Sequence, residues 1–412
     1  MTDLLMEGYK ALDLTDESGF FCGFILASLG FDVIKIEPPG GDRSRNIGPF
    51  YHNIPDPEKS LYWFAYNANK RGVTLDITRD DGRNIFLEMV KGTDCIIETF
   101  PPGYLEQLGL GYQTLSQLNP NLILTSITPF GQTGPRKNYT GCDLVVQAMS
   151  GIAAQTGEPE KMPLRWGGEQ SNLLPCICAA SGTMIALNIR SITGKGQCVD
   201  VSMQESMCWG STGAWGINHW GFEKRNMKRD GSYTPRGKVR FLETWACKDG
   251  YIKWRVWTGS VGRRTGKLVE YMESKGKGGD LTGIDRENMD VLTMNQKDLD
   301  HWQEEFASFF KEHTMMELYE QGAKWGFLNC PISTPRDIVE NPQLNYRGYF
   351  VPLSHPELDT EIKYPGAFVK STEASCLPRF RAPLIGEHNK EVYSEIGLST
   401  KEIGLLKQHG VI

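Results

Sequence analysis

The 412-residue chain lacks most of the features that reveal a function by inspection. It has no basic excess: 44 Lys and Arg stand against 50 Asp and Glu, for a net charge of −6. That excludes a chain-wide cationic field for nucleic acid, though not a local basic pocket for a phosphorylated ligand. No uninterrupted apolar run reaches the roughly 18 residues of a membrane span. The best candidate, Leu173–Ile189, is broken by Pro175 and carries Ser181 and Gly182. Met1–Lys10 (MTDLLMEGYK) lacks the charged-then-apolar order of a secretory signal. A soluble, cytoplasmic protein without a nucleic-acid or membrane partner is expected.

Metal and disulfide signals are equally thin. The ten cysteines are scattered, and the close pair Cys176 and Cys178 has no second half. Cys22, Cys95, Cys198 and Cys208 lie in apolar surroundings, so buried, reduced thiols are expected. The seven histidines show no metal spacing, and no metal site is expected. Nucleotide and hydrolase signatures are missing too. Gly262–Lys267 (GRRTGK) is one residue short of a phosphate-binding loop. Neither a G-x-S-x-G elbow nor a G-x-G-x-x-G after the first strand is present. These absences count against an NTPase, a serine hydrolase and a standard dehydrogenase.

What is present is an alternation of strand and helix signals over the first 200 or so residues. Ala11–Leu14, Val33–Ile36, Gly72–Ile77, Asp94–Glu98 and Leu122–Thr128 read as strands. Phe20–Leu29 and Asp81–Lys91 read as helices between them. This order predicts an α/β fold with a mostly parallel, doubly wound sheet. From about residue 225 the chain turns polar and basic, and Leu242–Val256 reads as a hairpin. We expect a large Rossmann-like domain over 1–224, a small domain over 225–329, and a C-terminal segment over 330–412 that returns to the large domain. Trp209, Trp215, Trp220, Trp245, Trp254 and Trp257 crowd one stretch. Core or subunit interface is one reading of them, and an aromatic-lined pocket is the other.

Several segments stand out by the order in which they occur. They are Val33–Asp42 (VIKIEPPGGD), Asn67–Thr74 (NANKRGVT), Thr99–Tyr112 (TFPPGYLEQLGLGY) and Thr128–Gly134 (TPFGQTG). Asp143–Gly151 (DLVVQAMSG), Lys195–Gln204 (KGQCVDVSMQ), Asn345–Val351 (NYRGYFV) and Ala382–His388 (APLIGEH) follow. Together they resemble the family III CoA-transferases, the formyl-CoA and carnitine CoA-transferase family, which also holds the α-methylacyl-CoA racemases. The resemblance implies a Rossmann-like large domain, a small middle domain and two subunits interlocked as threaded rings. It implies acyl-CoA thioesters and carboxylic acids as substrates, with no permanently bound cofactor. It also implies a nucleophilic aspartate that passes through a mixed anhydride and an aspartyl-CoA thioester.

The stretch matching that aspartate is Trp166–Asn172 (WGGEQSN), and Glu169 stands in its place. The longer side chain shifts the carboxylate by roughly 1.5 Å. A misplacement of about 1 Å can cost on the order of 10²-fold in rate. A carboxylate favoured by the helix N-terminus is the other reading of Glu169. Asp16, Glu17 and Ser18 follow the first strand, where the family has an amide and small residues facing CoA. Pro101 and Gln107 stand where the family carries N-F-R-P-G and an arginine. Lys70 and Arg71 match its N-K-R and remain as phosphate partners, or as an ordinary solvated loop. Cys142 occupies the histidine position of the racemase motif, which counts against a racemase.

Two functions follow from the resemblance. One is a complete CoA-transferase using Glu169. The other is a degenerate subunit that supports an active paralogous chain in a heterodimer or heterotetramer. The loss of the aspartate together with basic anchors favours the second. The heteromeric benzylsuccinate CoA-transferases of anaerobic toluene degradation are members of this kind.

Overall fold

The computed structural model describes residues 4–210, 218–285, 287 and 294–412. The chain forms two compact units. The first holds residues 1–153, 165–226 and 342–412, so both ends of the chain build it. The second holds 154–164 and 227–341.

The first unit is organised by a six-stranded sheet. Its strands are β1 (Lys10–Leu14), β2 (Asp32–Glu37), β3 (Arg71–Thr74), β4 (Cys95–Glu98), β5 (Ile123–Thr128) and β6 (Cys198–Ser202). Every pairing is parallel, in the order β3-β2-β1-β4-β5-β6. This is the doubly wound order, with its switch point between β1 and β4. Alternate residues of β1 explain the layering. Leu12 and Leu14 join one buried cluster with Ile34, Ile36, Val73 and Ile96. Ala11 joins another with Val33, Cys95 and Ile97. Both sheet faces are therefore apolar and need helices over them.

One cluster includes Ile85, Phe86 and Met89 of α3 (Asp80–Val90). The other is covered by α1 (Phe20–Leu29) and by a long helix, Gln170–Thr193. Pro175 does not break that helix as the sequence suggested. It sits in the second turn, and the 24-residue helix is long and apolar enough to cross a membrane by length and composition. Here Cys176, Ala179, Ala180, Ala186 and Leu187 of that helix pack into the core instead.

The C-terminal segment docks along β3. Tyr393 donates its hydroxyl to the Thr74 carbonyl (2.6 Å), and the Asn389 carboxamide accepts from Thr74 N–H (2.9 Å). Arg45 ties the same segment to β2. It forks onto Glu37 at 2.6 and 2.8 Å, donates to the Pro383 carbonyl and stacks over Trp63.

The second unit has a three-stranded sheet of Thr244–Ala246, Tyr251–Lys253 and Cys330–Pro331, with the hairpin expected from the sequence at its centre. Trp245 and Trp254 are buried in its core beside Phe306 and Phe310. For Trp245 and Trp254 the core reading holds. Trp209 and Trp220 are exposed in the first unit, and Trp215 lies outside the described residues. The cysteines also divide: Cys22, Cys95, Cys176 and Cys376 are buried, whereas Cys142, Cys198 and Cys330 are exposed.

A fully buried charge cluster sits at the centre of the first unit. The Asp13 carboxylate accepts from Lys70 Nζ at 2.8 Å and lies 3.7 Å from Lys35 Nζ. Lys70 also donates to the Phe20 carbonyl and the Asn67 side chain, and Lys35 to the Thr15 carbonyl. Burial alone would raise the Asp13 pKa, but the ammoniums of Lys70 and Lys35 outweigh it and hold it low. Replacing Asp13 by Asn keeps the shape and leaves two buried ammoniums without a counter-charge. Removing one partner of such a cluster costs about 3–5 kcal/mol. The Asp13→Asn chain should therefore unfold at distinctly lower urea than the wild type. A loss under about 1 kcal/mol, the scale of exposed pairs, would show that the cluster carries little of the fold.

Candidate functional site

In open parallel sheets, ligands bind outside the carboxyl ends of the strands at the switch point. A cleft of about 1010 Å³ opens there, walled by Thr15–Ser18 after β1 and Thr99–Pro102 after β4. The two walls are stitched together. Asp16 N–H donates to Thr99 Oγ1 (2.8 Å), which in turn donates to the Asp16 carboxylate (3.1 Å). That carboxylate also accepts from Ser18 N–H and Oγ, fixing the turn. Gly19 permits the approach, since a Cβ there would lie 2.6 Å from side-chain carbons of Thr15 and Thr99.

Glu169 lines this cleft as the residue that enters the Gln170–Thr193 helix. Its carboxylate makes no capping bond to the helix backbone. Instead it accepts from the Tyr62 hydroxyl at 3.0 Å and from Asn172 Nδ2 at 3.2 Å. Burial and the Glu169 charge push the Tyr62 pKa far up, so the hydroxyl stays protonated and donates.

Glu17, Ser18 and Pro101 also line the cleft. Glu17 Oε2 is buried without a hydrogen-bond partner, and burial followed by the Asp16 charge raises its pKa. Arg43 bridges Asp16 at 3.2 Å and Glu17 at 3.3 Å, so the acidic pair is partly neutralised. Gln107 ends a short helix, Tyr104–Gln107, is exposed, and does not line the cleft.

Lys70 and Arg71 are not brought into the cleft, which corrects the phosphate role expected for them. Lys70 is sealed in the Asp13 cluster with its donors taken. Arg71 pairs with Asp32, Glu391 and Glu395 at the opposite, N-terminal ends of the strands. The cations that do line the cleft are Arg43, Lys137 and Arg165. The sequence offered weak signals for them: Arg43 directly follows the Gly40-Gly41-Asp42 turn, and Arg165 precedes Glu169 by one helical turn's spacing. Cys142 and Asp143 line the cleft as well.

Residues 6–389 match the CoA-transferase family III, and the chain belongs to that family. It is 33% identical over 405 residues to succinyl-CoA:(R)-benzylsuccinate CoA-transferase subunit BbsE of Thauera aromatica, covering 98% of this chain and 97% of that one. It is 29% identical to succinyl-CoA:mesaconate CoA-transferase of Haloarcula hispanica, over 96% of this chain and 97% of the other. Among solved structures, a CAIB/BAIF family protein from Brucella suis superposes with a TM-score of 0.82 at 27% identity, covering 96% of this chain and 100% of that chain.

Glu98, at the end of β4, supports the wall. Its carboxylate accepts from Phe100 N–H at 2.6 Å, and its pKa is pushed up to about 7. Burial is the main cause, opposed by bonds from Ser126 and Phe100. A folded pKa above the unfolded value means the folded chain holds the extra proton, so Glu98 costs stability as pH rises from about 4.5 to 7. At about 1.4 kcal/mol per unit this is on the order of 3 kcal/mol. Glu98→Gln should flatten that part of the pH–stability curve, measured by urea unfolding at pH 5 and pH 8. Parallel curves for both chains would rule out this titration.

Proposed function

We propose that this chain is the supporting subunit of a cytoplasmic CoA-transferase. The enzyme moves CoA from a donor such as succinyl-CoA to an organic acid, one with an aromatic group. Its partner is a paralogous chain bearing the nucleophilic aspartate, interlocked with it in a heterodimer or heterotetramer. CoA thioesters are its substrates, and no bound cofactor takes part. The observation that carries the reading is Glu169, a glutamate at the aspartate's position, held by Tyr62 and Asn172. The Thauera aromatica relative, itself one subunit of a benzylsuccinate enzyme, supports it.

The chemistry explains why one bond matters. The nucleophilic carboxylate attacks the thioester carbonyl, the C–S bond breaks, and a mixed anhydride and CoA thiolate result. The thiolate then attacks the enzyme's own carbonyl, releasing the donor acid and leaving an enzyme–CoA thioester. The acceptor carboxylate runs both steps in reverse. Each transfer needs the same carboxyl carbon within attack distance of a held thiolate. Glu169 carries its carboxyl one bond further out, and two donors fix where it points.

A second reading keeps this chain as a complete enzyme with Glu169 as nucleophile. Its position in a formed cleft, with Tyr62 and Asn172 as orienting donors, favours that reading.

Four measurements test these readings. Native mass spectrometry should show two chains of similar size, and a homodimer with full activity overturns the supporting role. Glu169→Gln should change the turnover of the complex by less than about tenfold, whereas loss of a nucleophile costs several orders of magnitude. Hydroxylamine or borohydride trapping that maps an adduct to Glu169 would establish the second reading. Because Arg43 is already engaged by Asp16 and Glu17, calorimetry should find about one tight CoA site per pair of chains. Two equal tight sites per pair contradict that.

A further inference from the structure

Arg165 is a cleft cation anchored through one nitrogen. Its Nη1 donates to Asp143 Oδ2 at 3.1 Å and to the Gly168 carbonyl at 3.1 Å. Gly168 immediately precedes Glu169, so the guanidinium is held one residue from the carboxylate position. Asp143 does not depend on Arg165. It also accepts from Gln147 Nε2 at 2.9 and 3.0 Å and from Ser171 N–H at 2.9 Å. The Nε–Nη2 edge of Arg165 has no partner among the described residues, and half of its side chain is exposed. A guanidinium anchored by one nitrogen and open along its other edge is a pre-set fork for a carboxylate.

We propose that Arg165 is a specificity residue that receives the far carboxylate of a dicarboxylic ligand, free or as its CoA half-thioester. This deepens the CoA-transfer reading and rests on it for the ligand's chemistry. The electrostatics make the fork necessary. A dicarboxylate brings a second negative charge to a place already occupied by Glu169 and Asp143. Like charges at such distances exclude a dianion unless a cation pairs with it. Arg43 is the less suited cation, because two carboxylates, Asp16 and Glu17, already share it, whereas Arg165 meets one. Lys137 offers a point charge on an exposed stem, suited to a phosphate at the other end of the long pantetheine arm. A monocarboxylic acid whose one carboxylate lies at the reacting position leaves the Arg165 fork unused.

The test reads binding rather than turnover, so it does not depend on whether Glu169 is a nucleophile. Succinate and butyrate, of equal chain length, are titrated by calorimetry into the purified native complex carrying wild-type, Arg165→Gln, Arg165→Lys or Lys137→Gln forms of this chain. The wild type should bind succinate at least tenfold more tightly than butyrate. Arg165→Gln should bring the two within about threefold, and Arg165→Lys should retain part of the preference as a charge without the fork. Circular dichroism verifies folding, and the lysine variant decides if the glutamine variant is unfolded. An unchanged preference in both Arg165 variants overturns the assignment, as does its loss in Lys137→Gln alone. Trapping an adduct on Glu169 would overturn the supporting-subunit reading and leave this result standing.

Discussion

The buried contact between Asp13 and Lys70 is the constraint on which the first unit depends. Asp13 lies on the central strand, and Lys70 lies just before the edge strand β3. With Lys35 on β2, three adjacent strands are tied through one carboxylate. Lys70 also holds the Phe20 carbonyl at the start of α1, and both ammoniums sit near the Phe20 ring. The cluster therefore fixes the height of α1 and the course of residues 13–20 above the sheet. A buried charge with every donor and acceptor met specifies one geometry, because any shift leaves an ion unpaired in a low dielectric.

The cleft inherits this rigidity. The turn after β1 rises directly from Asp13, whose carboxylate accepts from Thr15 N–H and Oγ1. The Asp16–Thr99 contacts then carry the position across the switch point to the β4 wall. Glu98, one residue before Thr99, sets that wall from below through Phe100 N–H. A cleft built on strand ends held by buried polar groups has walls of fixed position.

Much of the fold was legible because its signals are local. Strands buried on both faces read as apolar runs, helices as a 3.6-residue period, and the order of the two implies a parallel sheet. The helix Gln170–Thr193 was obscured by Pro175, yet a proline so near the helix start costs only one backbone bond that neighbours can replace. The site was legible in part. Glu169, Glu17, Ser18 and Pro101 do reach the cleft. Lys70 and Arg71 misled because a cation's role is set by its partners, and theirs lie far away in sequence: Asp13 for one, Asp32, Glu391 and Glu395 for the other. No local pattern announces a salt bridge across 57 residues. Arg43 is the converse case: in sequence the acids at 16 and 17 stand unpaired, and folding brings the cation to them.

Charge placement also bears on how a glutamate is tolerated at position 169. A carboxylate there needs donors that cannot follow it into a new position. Tyr62 comes from α2 (Leu61–Asn67), whose start is capped by Ser60 and whose Trp63 is fixed under Arg45. Asn172 sits on the first turn of the rigid helix that Glu169 introduces. Both donors stand on helices, and their separation matches where the carboxylate rests. A shorter aspartate in the same frame would have to stretch both contacts or shift the Gly167–Gly168 backbone, whose second glycine already adopts a left-handed φ of 74°. The contacts of Glu169 therefore come from two separate elements, α2 and the Gln170–Thr193 helix, rather than from its own turn.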